Sequence, residues 1–274
     1  MDQRLRRLSR KALRRENGDH PEVALNQTRT SGDRRSECCG ARICSALTRH
    51  VLSRVMHTLD LTSRGCAGES KGKIMSYTVA NMLRATDLSA FLEVFNRVAR
   101  PELEAGGCSK IRISQTVYGG EYAGAITMAA DFDSVATATS AQMAANTKAG
   151  PEAREAGVEL VSRSLVLNRE HRGTEDGEFG SLMQVTSLPT SPEEYSANAD
   201  LFWSHMSAGA NGQRFGVFSA AGERTGRQVA VTWTDDLDAL TQASAQMFSN
   251  PDVIDRMAQY ETTPVSRSIF RRIA

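Results

Sequence analysis

From residue 76 onward the apolar positions change period in a fixed order. Tyr77 to Leu83 alternates, with Tyr77, Val79 and Asn81 on one face and Thr78, Ala80 and Met82 on the other, which predicts a strand. Asp87 is placed to cap a helix, and Leu88, Phe91, Leu92, Phe95 and Val98 then step by three and four along one face. Pro101 and Gly106-Gly107 are expected to end that helix. Ile111, Ile113, Gln115 and Val117 alternate with Arg112, Ser114 and Thr116 as a second strand; Tyr118-Gly119-Gly120-Glu121 turns, and Gly124 to Ala130 forms a third. Asp133 is expected to cap a second helix carrying Val135, Ala138 and Met143, interrupted at Gly150-Pro151. A short helical piece from Glu152 to Ala156 and a closing strand from Val158 to Leu167 complete a βαββαβ order.

The same order returns. Leu182–Leu188 is a strand, and Ser191-Pro192-Glu193-Glu194 supplies an N-cap, a first-turn proline and first-turn acids. Tyr195, Phe202 and Met206 mark the helix, which Gly209 and Gly212 end. Strands at Arg214–Ala220 and Gln228–Thr234 flank Gly222-Glu-Arg-Thr-Gly226. A helix after Asp238 carries Leu240, Ala243 and Met247, a helical piece restarts at Asn250-Pro251, and Val265–Arg271 closes. Two tetrapeptides support a duplication. Ser140-Ala141-Gln142-Met143 returns as Ser244-Ala245-Gln246-Met247, and Val161-Ser162-Arg163-Ser164 as Val265-Ser266-Arg267-Ser268, both after 104 residues. Pro151 and Pro251 break that offset and place a small indel nearby.

The division that follows is a leader over 1–74, a first repeat over 75–169, a charged linker over 170–180 and a second repeat over 181–274. A single βαββαβ unit has helices on one face of its sheet and leaves the other open. Two units in one chain solve this by packing sheet to sheet. The fold class is therefore α+β: two tandem ferredoxin-like repeats forming a single-chain pseudo-dimeric α/β barrel, with both tetrapeptides as packing and barrel-closing positions. Element order and duplication over about residues 76–272 resemble the dimeric α/β-barrel superfamily. That group includes antibiotic-biosynthesis monooxygenase-like, stress-responsive and haem-binding chlorite-dismutase-like proteins, and its shared fold does not fix a shared chemistry.

Charge divides the chain. Residues 1–74 hold 16 Lys and Arg against 8 Asp and Glu, whereas the rest holds 17 against 24. An acidic body argues against nucleic acid as the partner of the repeats. No run reaches the length of a membrane span, and Cys108 stands alone in the body, which fits a reducing, cytoplasmic setting. Before residue 75 the pattern is thin: a basic stretch around Arg4–Arg15, and Ile43, Leu47, Val51, Val55 and Leu59 recurring every four residues. A basic arm for nucleic acid or anionic lipid is one reading. A zinc set from Cys38, Cys39, Cys44, His50, His57 and Cys66 is another, without a standard spacing. The stretch from Gly65 to Lys73 fails as a phosphate loop, because Ala67 and Ile74 occupy positions needing Gly and Ser or Thr. The preferred reading is a disordered leader with the true start near Met75.

The body carries no serine-hydrolase order, metal spacing or dinucleotide fingerprint. His205, beside Trp203 on a helix, is the catalytic candidate as a general base, or a haem ligand; a partly exposed helix residue is the preferred alternative. Arg163 and Arg267 sit mid-strand in both copies. They are expected to face outward or to be structurally paired, and would anchor an anion if turned inward. Positions that differ between the copies supply the remaining ligand-binding candidates: Asn81, Gln115, Tyr118 and Tyr122 in the first, Trp203 and Trp233 in the second. They would line a cleft between sheet and helices. The function this supports is binding of a small apolar or aromatic molecule by a pseudo-dimeric monomer or a homodimer, with no cofactor. The resemblance extends it to a cofactor-independent monooxygenase-like enzyme. A non-catalytic stress-related or interaction barrel, and a haem-binding barrel, are the alternatives.

Overall fold

The computed structural model describes residues 76–274. The expectations for the leader, including its basic arm, its apolar recurrence from Ile43 to Leu59 and its cysteine and histidine set, lie outside the described residues.

Eight strands alternate with helices in the predicted order. In the first half they are β1 (Ser76–Ala85), β2 (Lys110–Tyr118), β3 (Ile126–Phe132) and β4 (Val158–Gly173). In the second half they are β5 (Phe179–Thr186), β6 (Gly212–Ala220), β7 (Gln228–Thr234) and β8 (Thr263–Arg272). The spatial order β1-β3-β2-β8-β5-β7-β6-β4 closes on itself. Each half contributes a four-stranded ferredoxin-like sheet, and two antiparallel seams, β2 with β8 and β4 with β6, join them. Every neighbour is antiparallel, so equivalent strands run the same way and a pseudo-two-fold lies along the barrel axis. Both tight hairpins, β2–β3 and β6–β7, consequently stand at one end, called the mouth below. Residues 168–173 pair with β6, so only residues 174–178 connect the halves, a shorter link than the 170–180 expected.

The helices cover the outside. Asp87 caps α1 (Leu88–Val94) through Ser89 N and Ala90 N, as its position predicts. Pro101 does not end this helix. Phe95–Ala99 widens into a π-turn and α2 (Arg100–Ala105) continues, with Pro101 in its first turn, where a missing N–H costs least. Two further boundaries differ from the pattern. Ser134, not Asp133, caps the next helix, and α3 (Val135–Glu155) runs unbroken through Pro151. In the second half Ser191 and Glu194 form a full capping box on α4 (Pro192–Met206). Asp236 caps α5 (Leu237–Ser249), while Asn250, in an extended conformation, ends α5 and caps α6 (Pro251–Gln259).

The core lies between sheet and helices. Phe91, Phe95 and Leu103 meet Val79, Ile113, Met128 and Phe132 in the first half; Met206, Leu240, Met247 and Val253 cluster in the second. Helix α3 presents small buried residues, Ala138, Ala141, Ala145 and Ala149, and so approaches closely: a Cβ on Gly106 would lie 2.5 Å from Ala141 Cβ.

The duplication holds, but one of the two tetrapeptides that suggested it is out of register. Ala141 and Gln142 are the buried members of the first SAQM, whereas Ser244 and Met247 are buried in the second. Matching buried faces and caps instead pairs Ala138 with Leu240, Ala145 with Met247 and Ser134 with Asp236, an offset of 102 residues. The VSRS strands keep 104, since Arg163 pairs across from Asn81 and Arg267 across from Met183. At 102 a further repeat appears: Gly120-Glu121-x-x-Gly124 and Gly222-Glu223-x-x-Gly226. Both loops begin and end on left-handed glycines, with φ of +61° and +82° in one and +60° and +88° in the other. Their backbone hydrogen bonds correspond one to one, from Tyr122 N to Gly119 O and from Arg224 N to Ala221 O onward.

Candidate functional site

An eight-stranded barrel encloses just enough space for its side chains to fill, or for one small ligand. Here six of the inward positions are small. Thr78 and Ala80 on β1, Ser114 on β2, Ala129 on β3, Ser164 on β4 and Gly216 on β6 leave a lumen of about 810 Å³. The cavity therefore lies on the opposite face of the sheet from the cleft the sequence suggested. It is also wetter than a sheet-to-sheet core, because the first half turns hydroxyls inward.

The end away from the hairpins is shut by buried charge. Arg112 and Arg214 are equivalents about the pseudo-two-fold, and both serve one carboxylate. Arg112 Nη2 donates to Asp131 Oδ1 and Oδ2 at 2.7 and 2.8 Å, Arg214 Nη1 and Nη2 donate to the same oxygens at 2.9 Å each, and Thr78 Oγ1 adds a 2.6 Å bond. Position 233, the counterpart of Asp131, is Trp, with the Arg112 guanidinium 6.0 Å from its ring. The missing second carboxylate comes from the connection: Glu175 accepts from Arg112 Nη1 at 2.8 Å and Lys110 Nζ at 3.0 Å, and pairs with Arg214. Burial by itself would push the Asp131 carboxyl up, but the Arg214 hydrogen bonds and the Arg112 charge outweigh it and hold it below the usual range. Glu175 is likewise lowered, burial being overcome by Arg112 and Arg214.

The walls are uneven. Val166, Phe218 and Val229, with Leu182 and Val231 against them, form an apolar cluster inside the barrel. Val166 comes from β4 of the first half, but the first-half counterparts of the second-half members are smaller or hydroxylated: Thr116 for Phe218, Thr127 for Val229, Ala80 for Leu182. Gln184 Oε1, on the lumen wall, is buried without a hydrogen-bond partner. At the mouth Arg224 Nη2 donates to Ser164 Oγ at 2.7 Å, and the guanidinium stacks on Phe218 at 5.0 Å.

The sequence-derived candidates do not converge on one place. Trp233 and Tyr122 line the lumen, one at the floor and one at the mouth. Arg267 borders the mouth but donates outward, from Nη1 to Ser244 Oγ at 2.8 Å. Arg163 does the same in the first half: its Nε donates to Asn81 Oδ1 and its Nη2 to Asn146 on α3. Asn81 is itself buried beneath α3, donating to Gln142 Oε1 at 3.2 Å. Burial lowers both arginines from their ordinary value. Gln115 Nε2 reaches Gly124 O, and Tyr118 is 67 % exposed. Trp203 packs over Gly173 against the second-half helix core, and His205 lies on the same helix outside the lumen lining. Sequence reasoning missed Arg112, Asp131, Glu175, Arg214 and Arg224. The 102-residue offset would have exposed the first pair, since it matches Arg112 to Arg214 and sets Asp131 against Trp233. Among the described residues no group of three His, Cys, Asp or Glu side chains could hold a metal ion, and the lumen lining includes neither His nor Cys. Cys108 is half-buried, and burial pushes its thiol up.

These features define the class: the chain has the dimeric α/β-barrel fold, closed within one polypeptide. Solved structures with this fold include a protein proposed to be a chlorite dismutase, at TM-score 0.50 and 9 % identity, over 73 % of this chain and 95 % of that one. A haem-binding protein from Thermus thermophilus aligns at TM-score 0.50 and 11 % identity, over 73 % and 91 %. A proposed monooxygenase from Lactobacillus acidophilus aligns at 0.45 and 8 %, over 73 % and 94 %. No protein-family model and no curated protein sequence matches. Within the described residues no helix is long and apolar enough to cross a membrane.

Proposed function

We propose that the barrel binds one small, largely apolar or aromatic molecule in its lumen. The observation that carries this is the cavity. Its volume of about 810 Å³ falls within the ~300–1,000 Å³ of small-molecule sites, and apolar side chains with a few polar groups line it. The unpartnered Gln184 Oε1 supports the same reading, because a buried acceptor costs about 1–3 kcal/mol until something donates to it. An interaction module with a filled barrel would lack the cavity.

Binding, not turnover, is what the wall chemistry supports. A general base must be free to take a proton. Asp131 and Glu175 at the floor are saturated by arginine and lysine donors and held ionised. The lining itself carries hydroxyls, amides and arginines, and its two carboxylates, Glu121 and Glu223, stand on the exposed hairpin loops at the mouth, away from the enclosed wall. Haem, the ligand of one structural neighbour, also fails to fit. A haem iron takes an imidazole, thiolate, thioether or phenolate. The lumen offers one thioether, Met82, and one phenol, Tyr122, at its rim, while the space between sheet and helices is packed.

The test uses Trp233 as reporter in a Trp203→Phe background, titrated with 2-naphthol and decanol. A saturable one-site change in Trp233 emission is expected. Ala80→Phe, which fills open space, should abolish it while moving the melting temperature only a few degrees. Silence with both probes, or an unaltered titration in Ala80→Phe, would refute the lumen as a binding site.

A further inference from the structure

We propose that the lumen is built for an amphipathic carboxylate, its apolar body against the second-half wall and its head held by Arg224 at the mouth. This rests on the lumen reading above and narrows its ligand class.

The two hairpin loops make the argument. They share a Gly-Glu-x-x-Gly sequence, left-handed glycines and the same backbone hydrogen bonds, yet Tyr122 stands in one where Arg224 stands in the other. Loop structure therefore does not require the arginine. Its side chain is also not turned to water. Nη2 donates to Ser164 Oγ at 2.7 Å and lies 3.4 Å from Ser162 Oγ, and stacking on Phe218 fixes the guanidinium plane over the cavity. Arg112 and Arg214 at the floor both have carboxylate partners. Arg224 has none within ion-pair distance among the described residues; Glu223 beside it is exposed and makes no ion pair with it.

A guanidinium presents five donors in a planar fork that matches a carboxylate. Two serine hydroxyls use a fraction of them. Directly below the guanidinium the lumen becomes apolar, with Phe218, Val166, Val229 and Leu182 in one cluster. Phe218, Val229 and Leu182 belong to the same half as Arg224, with Val166 of β4 against them, whereas the first half sets Thr116, Thr127 and Ala80 in the three matching places. Cation and apolar stripe thus lie in line. A molecule with one anionic end and a hydrocarbon body satisfies both at once, and burial of the body lowers the effective dielectric around the head. Arg227 and Arg267 on the same rim add positive charge to the approach, while the two rim carboxylates, Glu121 and Glu223, are exposed and screened by solvent.

The experiment is calorimetric titration of decanoate and decanamide, which share the tail and differ in charge, into the wild type, Arg224→Gln and Arg224→Lys. Decanoate should bind the wild type at least tenfold more tightly than decanamide. Arg224→Gln should remove that preference, weakening decanoate about tenfold while decanamide stays within twofold, and Arg224→Lys should restore part of it. Equal affinity for the two probes, or a loss in Arg224→Gln common to both, would overturn the carboxylate inference and leave the lumen site standing. Absence of binding by either probe to the wild type would overturn both. Melting curves for the two variants within about 2 °C of wild type are expected, because the loop is built equally well around Tyr122.

Discussion

Asp131→Asn should be the most damaging single-atom exchange in the described barrel. The substitution preserves shape and removes a charge that accepts four guanidinium hydrogen bonds and one from Thr78. Three cations, Arg112, Arg214 and Lys110, would then face Glu175 alone. Arg112 and Asp131 side chains are each 8 % exposed and Arg214 15 %, so solvent cannot take over the lost role. Removing one partner from such a buried pair costs about 3–5 kcal/mol. At roughly 2–4 °C per kcal/mol for a body of this size, the melting temperature should fall by about 6–20 °C. Circular dichroism melts at pH 7 measure it, with Asp133→Asn, an exposed neighbour, as control. The pH dependence carries the sign. The folded Asp131 pKa is depressed below its ordinary 3.8, so its contribution is complete above that value and disappears as pH falls through the folded pKa. The gap between wild type and Asp131→Asn should therefore close in acid. A loss under 1 kcal/mol at pH 7, or a gap unchanged at pH 3, would refute the ionic floor as a stabilising element.

Gly226→Ala should cost about 1 kcal/mol without any steric clash, since φ is +88° and nothing lies within 4 Å of the added Cβ; a denaturant midpoint equal to wild type would show the loop to be looser than described. Asn81→Ala should cost about 1–3 kcal/mol by unpairing Arg163 and Gln142, and Asn81→Met should cost less, because Met183 fills the equivalent place opposite Arg267. Equal destabilisation by the two Asn81 variants would argue that the lost hydrogen bonds alone, and not the volume Met restores, decide that site.

The fold was legible because each strand must bury one face, and alternation records that directly. Tyr77 to Leu83 and Ile111 to Val117 read as strands and are strands. Boundaries were harder where a tertiary contact overrides a local breaker: Pro101 sits just after a π-turn and Pro151 inside a continuous helix. The site was mostly illegible, for a related reason. Alternation shows which residues share a face but not which face looks inward, so Arg163 and Arg267 draw notice through their repeated tetrapeptide, while nothing in the pattern singles out Arg112 and Arg214. Choosing positions that differ between halves did find Trp233 and Tyr122 on the lumen. Glu175 was beyond reach, because its role depends on a connection lying across a barrel end that no local pattern describes.

Two arginines related by symmetry and one aspartate without a twin have a consequence for the history open to this polypeptide. A homodimer of the carboxyl-terminal portion alone would bring two copies of Arg214 together against two indoles, with no acid between them. Fusion lets one portion surrender its carboxylate to the other and use the vacated place for an aromatic floor. Once made, that exchange ties the second portion to the first: it could not return to a life as an independent subunit without first recovering a negative charge at position 233.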